Sequence, residues 1–377
     1  MPLAVYAMHD GNGAGRRFPE GQHPYRSEYQ RDRDRIIHTK AFRRLERKTQ
    51  VFSPAYSDHF RNRLTHSLEV SQIARTVSEA LGLNTDLCEV LALSHDIGHP
   101  PFSHDGEEVL DQLMHECGSG FEHNLHALRI IEDFEEKYAS FRGLNLTFEV
   151  REGVVKHSRD YGKEDATYVD ISEYRKGERP PLEAQLIDLT DEIAYNSADL
   201  DDGYDSGLLS VDQICQNVNL FRELYQEVES AYSDAAEGIK VSETVRRLID
   251  VLATSLIRET RSFLEKNQIE SVERVRAFPD RLTRFEPDVA AYNQQLKQFL
   301  RSHLYTHPAL KRAREDARSL IEGLFRHYVN YPQRLPEGHY SRIGILGIHR
   351  VVCDYIAGMT DLYARSRYAE SSRYTIA

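Results

Sequence analysis

The sequence predicts an all-α protein. Apolar residues recur at helical spacing, as in Leu64, Leu68, Ile73, Val77, Ala80 and Leu81, and again in Leu182, Leu186, Ile187, Leu189 and Ile193. Glycines and prolines stand where such stripes end, beginning with Gly82. Strand-like alternation is seen in one short run, Leu144, Leu146, Phe148 and Val150, and there Thr147 reads better as the cap of a helix through Val150, Val154 and Val155.

In chain order, the Leu64–Leu81 helix is followed by Asp86 as the expected cap of a short buried helix, Leu87 to Ser94. Gly98 and Pro100-Pro101 then prevent helix continuation. Asp105 is the expected cap of the next helix, with Val109, Leu110, Leu113 and Met114 inward and Gly118 closing it. Phe121 to Tyr138 reads as a further helix. The polar stretch Asp160 to Pro181, with few apolar anchors, exceeds an ordinary loop and is expected to be a lid or mobile insertion. Val211 to Ala377 is mostly helical, with breaks near Pro279, Pro287, Pro308 and Pro332 to Pro336.

A chain of 377 residues exceeds the usual single domain. The expected organisation is a basic N-terminal helical segment over 1–60, a central core over 61–210 and a C-terminal helical region over 211–377. Hydrophobic residues make up 40% and charged ones 29%, enough to bury a core and stay in water. No apolar run approaches the roughly 20 residues of a membrane span, and no secretory signal opens the chain. The well-separated Cys88, Cys117, Cys215 and Cys353 suit a reducing cytoplasm. A net charge of −12 argues against nonspecific nucleic-acid binding over the whole surface. Arg31, Arg33, Arg35, Lys40, Arg43, Arg44, Arg47 and Lys48 nevertheless concentrate positive charge, either as a solvated helix face or as a patch for phosphates or a neighbouring subunit.

The chemistry concentrates in Ser94-His95-Asp96-Ile97-Gly98-His99-Pro100-Pro101-Phe102-Ser103-His104. Neutral imidazoles beside a carboxylate suit a divalent cation that activates water. Burying so many polar groups without a partner is costly, which favours a ligand. His66 on the preceding helix and Asp191 on the Leu182–Ala198 helix complete a set of two imidazoles and two carboxylates: His66, His95, Asp96 and Asp191. Such nitrogen and oxygen ligands suit Mg or Mn first, with Fe, Co, Ni and Zn as further candidates.

These residues, with Arg31-Asp32-Arg33-Asp34-Arg35, Lys48-Thr49-Gln50-Val51-Phe52, Arg63-Leu64-Thr65-His66-Ser67, Phe121-Glu122-His123-Asn124 and Asp191-Glu192-Ile193-Ala194-Tyr195-Asn196, carry a family resemblance. The chain resembles the HD-domain metal-dependent phosphohydrolases, and more narrowly the bacterial deoxyguanosine-triphosphate triphosphohydrolase-like proteins. The resemblance covers most of the chain, ending in Cys353-Asp354-Tyr355-Ile356-Ala357-Gly358-Met359-Thr360-Asp361. It implies an HD helical core with additional C-terminal helices, and hydrolysis of a dNTP (dGTP or several) to deoxynucleoside and inorganic triphosphate. It makes His66, His95, Asp96 and Asp191 metal ligands and His104 and Glu107 a catalytic pair. Gln50, Arg63, His123, Lys156, Tyr195 and Asp199 become substrate contacts, Tyr195 against the sugar and Gln50 and Asp199 at its 3′-hydroxyl. His99 is left to hold the turn. Many relatives carry a histidine where this chain has Ala198. Arg350, Asp354 and Tyr355 are placed either at the pocket or in the core. Some members form homo-oligomers activated by a second dNTP, so a homo-oligomer is expected here. The alternatives are another HD phosphohydrolase (a 5′-deoxynucleotidase or phosphodiesterase) and a nucleotide sensor with a vestigial site.

Overall fold

The structure, a computed structural model, describes residues 2–52, 59–165 and 167–374, with side chains through 371. Residues 53–58 of the N-terminal segment, Ala166 of the 160–181 stretch and the last three residues of the C-terminal region lie outside the described residues. Among the described residues there is no strand; isolated bridges join Arg16 with Thr147, Thr49 with Asn62, and Glu136 with Gly143.

Local capping chemistry sets the helix starts. Helix α1 (Glu28–Ile37) opens on a capping box between Ser27 and Gln30. Helix α2 (Arg63–Leu81) opens on another, between Asn62 and Thr65, and Gly82 closes it in the left-handed conformation at φ 70°. Helix α3 (Thr85–Ser94) is capped by Asn84, whose Oδ1 accepts from Leu87 N at 3.2 Å. The cap expected at Asp86 is thus displaced by two residues; Asp86 instead accepts from Gln30 Nε2 at 2.9 Å and ties α3 to α1.

Helix α4 (Ser103–His115) starts before the cap expected at Asp105. Phe102 and Ser103 turn the chain at φ 64° and 61°, a conformation costing about 1–3 kcal/mol per residue. Two contacts hold that turn: Phe102 N donates to Asp361 Oδ1 at 3.0 Å, and Arg63 Nη2 donates to Ser103 Oγ at 2.9 Å. Helix α5 (His123–Arg129) runs into a π turn ending at Phe134, shorter at both ends than the expected 121–138 helix. Helix α6 (Phe148–Lys156) begins after Thr147, as the sequence suggests, although the Thr147 hydroxyl donates to Asp32 Oδ2 at 2.7 Å. Helix α7 (Leu182–Asp205) is followed by α8 (Asn219–Ala231), α9 (Glu237–Lys266), α10 (Pro287–Phe299), α11 (Pro308–Asn330), α12 (Ile348–Ala357) and α13 (Asp361–Tyr374), with short turns between. Pro287 and Pro308 are first residues of helices, where a missing N–H costs nothing.

Two apolar cores result. The larger unites α1, α2, α3, α6 and α7 with α8 to α10, and α2 lies against both α3 and α7. The smaller is built by α4 with α11, α12 and α13. The HD turn between α3 and α4 lies where these cores meet.

The stretch 160–181 is no loose flap. Tyr161, Ile171 and Tyr174 are buried; Tyr161 Oη donates to Glu122 Oε1 at 2.7 Å and Tyr168 Oη to Glu122 O at 3.0 Å. Its anchors are tyrosines, which a search for aliphatic periodicity passes over. Part of the basic N-terminal segment likewise acts as tethers, while Lys40, Arg43, Arg44 and Arg47 stay exposed. Arg16 pairs with Asp32 at 2.5 Å, Arg35 with Glu20 at 2.7 Å, and Arg33 with Glu89 at 2.9 Å. Buried Lys48 donates to His99 O at 2.5 Å and Ala357 O at 3.1 Å, bolting the N-terminal segment to the HD turn and α12.

Gly98 permits the closest approach in that turn. A Cβ there would lie 2.0 Å from His123 O and 2.6 Å from Ala127 N, so α5 can sit on the turn only because position 98 has no side chain. Gly98→Ala is expected to cost about 1–3 kcal/mol, read as a lower urea midpoint at unchanged m-value.

Candidate active site

The end of α3, the turn after it, α2, α4, α5 and the end of α6 bring six imidazoles into one row, with Asp191 of α7 beside it. Ring centroids run from His66 to His95 at 5.6 Å, His95 to His157 at 5.8 Å, His157 to His123 at 6.4 Å, His123 to His99 at 3.8 Å, and His99 to His104 at 5.1 Å.

At one end, His66 Nε2 lies 2.8 Å from Asp191 Oδ1. His95 Nδ1 donates to Ala92 O at 2.6 Å, so Nε2 carries the lone pair. That Nε2 is buried without a hydrogen-bond partner and faces Asp96 Oδ1 at 3.5 Å and Asp191 Oδ1 at 3.8 Å. A buried bare acceptor beside two carboxylates is costly alone and fits a divalent cation. The ligand atoms of His66, His95 and Asp96 lie within 4.8 Å of one another, so the residues present fit a metal ion. Burial would raise the Asp96 carboxyl, but the Arg63 guanidinium first, and the hydrogen bond from His99 with it, hold it well below its ordinary value. Asp191 is likewise opposed by burial yet held down to about 2, chiefly by its hydrogen bond with His66. Both carboxylates are therefore ionised and ready to ligate.

At the other end, Glu107 Oε1 accepts from His123 N at 2.9 Å and lies 2.8 Å from His123 Nδ1, while Oε2 stands 3.7 Å from His104 Nδ1. His123 is thus the tighter partner of Glu107. His104 is the outlier in exposure, at 66% of its side chain. Burial pushes the His123 imidazole down, but Glu107 outweighs it and raises the pKa. His99, stacked on His123, is held well below the ordinary value by burial, Arg63 and His123. His157 falls to about 3 through burial and the nearby His95 and His123, and stays neutral.

A third group lines α7. Tyr195 and Asp199 follow Asp191 at steps of four and share its face. The Tyr195 ring lies 6.4 Å from His66 and 6.2 Å from Tyr305, and the Tyr305 hydroxyl donates to Asp199 Oδ2. Tyr305 follows a π turn over Leu300–Leu304, a local irregularity of the kind found at functional sites. Burial raises Asp199 to about 7, against the hydrogen bond from Tyr305 that lowers it. The folded chain therefore holds a proton at Asp199 that the unfolded chain has released above its ordinary 3.8. This contribution to stability is complete below the unfolded pKa and is lost as pH rises toward 7. Urea midpoints for Asp199→Asn should accordingly fall less between pH 4 and pH 7 than those of the unmodified chain.

Comparison with known proteins places this geometry. The HD domain matches residues 63–196, and the phosphohydrolase-associated domain matches residues 283–370. A deoxyguanosinetriphosphate triphosphohydrolase-like protein of Geobacter metallireducens is 43% identical over 366 residues, covering 97% of this chain and 94% of the relative. The chain belongs to the deoxyguanosinetriphosphate triphosphohydrolase-like family. Relatives of the same name from Leptospira interrogans and Thiobacillus denitrificans are 41% and 44% identical, covering 97% and 96% of this chain and 95% of each relative. It is thus an HD-superfamily hydrolase with residues that could hold a divalent metal. No helix among the described residues is long and apolar enough to cross a membrane.

Against the pattern of the triphosphohydrolase-like family, most expected residues converge, while Lys156 and Arg63 are engaged with protein partners. Lys156 is fully buried, and its ammonium is committed to Glu152 Oε1 at 3.1 Å and to the carbonyls of Arg175 and Glu178 at 3.0 Å. All three donors of the ammonium thus have protein partners in this structure. Arg63 is also buried, with Nη1 donating to Asp96 Oδ2 at 2.5 Å; in this structure it supports a candidate ligand. Gln50 is buried with Oε1 unpartnered, in the turn that bridges to Asn62 at the start of α2. Arg350, Asp354 and Tyr355 serve packing: Arg350 donates to Gly120 O at 2.7 Å, Asp354 pairs with Arg129 at 2.5 Å, and the Tyr355 and Tyr363 hydroxyls meet at 3.0 Å.

His157 and Tyr305 were not legible as site residues. His157 follows Lys156 at the end of α6, and its place three residues after Val154 on an inward face was the available signal. Tyr305 had none, since it reaches Asp199 across a separation of 106 residues.

Proposed function

We propose that this protein hydrolyses deoxynucleoside triphosphates at the α-phosphate, releasing deoxynucleoside and inorganic triphosphate. The observation that carries the proposal is the division of one histidine chain into two chemistries. His66, His95 and Asp96 cluster with Asp191 beside His66 as the proposed metal ligands, while His104, Glu107 and His123 form an imidazole–carboxylate set beside them. The names of the relatives point to the same reaction class.

When bound at the first set, a divalent cation would polarise a phosphoryl oxygen and lower the pKa of water. The chain's own residues supply the rest. His104 faces Glu107 through Nδ1, which leaves Nε2–H to protonate the departing 5′-oxygen, a poor leaving group as an alkoxide. His123, whose pKa Glu107 raises through Nδ1, offers Nε2–H to a phosphate oxygen in its protonated form. His157 Nδ1 lies 3.1 Å from Val154 O, so a proton there leaves Nε2 as an acceptor that can orient water. Arg63 holds Asp96 in place, and Tyr195, Asp199 and Gln50 form the sugar side. Tyr195 beside C2′ would disfavour a ribose, whose added hydroxyl would clash or lose its hydration.

A matrix of single and paired dNTPs against Mg, Mn and Co, with dNMPs as controls, tests the proposal. Triphosphate and deoxynucleoside are the expected products; activity on dNMPs exceeding that on dNTPs would replace the reading with a 5′-deoxynucleotidase. The same matrix, with light scattering of the eluted protein, tests the proposed homo-oligomer and its activation by a second dNTP; a monomer under every condition would remove that part.

A further inference from the structure

The imidazole–carboxylate end of the site has the composition of a metal site in its own right. The ligand atoms of His99, His104 and Glu107 lie within 4.8 Å of one another. Nδ1 of His99 and Nδ1 of His104 each stand 3.7 Å from Glu107 Oε2. A tetrahedral ion with bonds of about 2.1 Å holds its ligands about 3.4 Å apart, so only a small closure is needed. His104, exposed and on the first turn of α4, is free to make it.

His99 is the second and independent observation. Its Nε2 lies 3.1 Å from Asp96 Oδ1, so the proton belongs on Nε2 and the lone pair on Nδ1. That Nδ1 is buried, has no hydrogen-bond partner and points at Glu107. The supporting shell is present as well: His123 holds the Glu107 carboxylate through its backbone N–H to Oε1 and through Nδ1, which lies 2.8 Å from Oε1 and 3.0 Å from Oε2, so a cation at Oε2 would leave His123 on Oε1. Two imidazoles and one carboxylate with one open side match a zinc-type site better than a magnesium site.

We infer that His99, His104 and Glu107 form a second binding site for a transition-metal cation, Zn²⁺ by donor set, separate from the His66–His95–Asp96–Asp191 set. His99 links the two, donating to a ligand of the first through Nε2 and ligating in the second through Nδ1. Filling the second site takes His104 Nδ1 away from Glu107, so turnover falls as excess cation binds; this consequence rests on the proposed function, whereas occupancy does not.

Equilibrium dialysis of the chelator-stripped full chain against Co²⁺ and Zn²⁺ tests the site without any assay of activity. Two ions per chain are expected. His104→Ala should bind one, His66→Ala should keep the ion that His104→Ala loses, and the double variant should bind neither. His104 is surface-exposed, so its variant keeps the fold, checked by circular dichroism. One ion in the unmodified chain, or two in His104→Ala, would overturn the inference, while the products formed from dNTPs report separately on the proposed function.

Discussion

His104→Ala should lower kcat roughly 10²–10⁴-fold, the range for loss of a positioned proton donor, while dNTP binding is retained. The side chain is two-thirds exposed, and its recorded polar contact is Glu107 at 3.7 Å, so its removal leaves no cavity and no orphaned partner in the core. Glu107 keeps His123 at 2.8 Å, and the four candidate ligands, on α2, on α7 and just after α3, are untouched. Single-turnover rates measured beside equilibrium dNTP binding separate the two effects. An unchanged kcat would remove His104 from the chemistry. A lost kcat with equally lost binding would make it a substrate contact instead.

Arg63→Ala should destabilise the protein by about 3–5 kcal/mol, the cost of leaving one partner of a buried ion pair uncompensated. Arg63 and Asp96 are 1% and 5% exposed, and the guanidinium supports both Asp96 and the strained turn at Ser103. Without Arg63 the Asp96 carboxylate sits in the interior with only imidazoles around it. Added divalent cation should restore part of the loss, because it supplies positive charge at the same carboxylate. Urea unfolding with chelator and with Mn²⁺ checks this. Equal stability of the variant and the unmodified chain in chelator would show that Arg63 is held ready for phosphate rather than committed to Asp96.

The parts of this protein legible from sequence were those governed by local rules. The α2 stripe, its stop at Gly82 and the α7 helix follow from side-chain period and backbone freedom, and they carry His66 and Asp191 to their places. The contiguous His95–Asp96 pair needed no folding to be seen. What escaped depends on long-range contacts. Asn84 outcompetes Asp86 as a cap because Asp86 is drawn to α1 through Gln30. The 160–181 stretch looked unanchored because its anchors are tyrosines whose hydroxyls reach Glu122 and Glu132. Lys156 looked available for phosphate, yet a buried glutamate four residues earlier and two distant carbonyls claim its ammonium. The resemblance paired His104 with Glu107, and α5 brings His123 closer to that carboxylate than His104 is.

Hydrolysis of a dNTP in heavy-oxygen water, with mass analysis of both products, tests the central claim most directly. Attack at the α-phosphate with departure of the 5′-oxygen predicts label in the inorganic triphosphate and an unlabelled deoxynucleoside. Release of pyrophosphate with dNMP, or label in the deoxynucleoside, would contradict it.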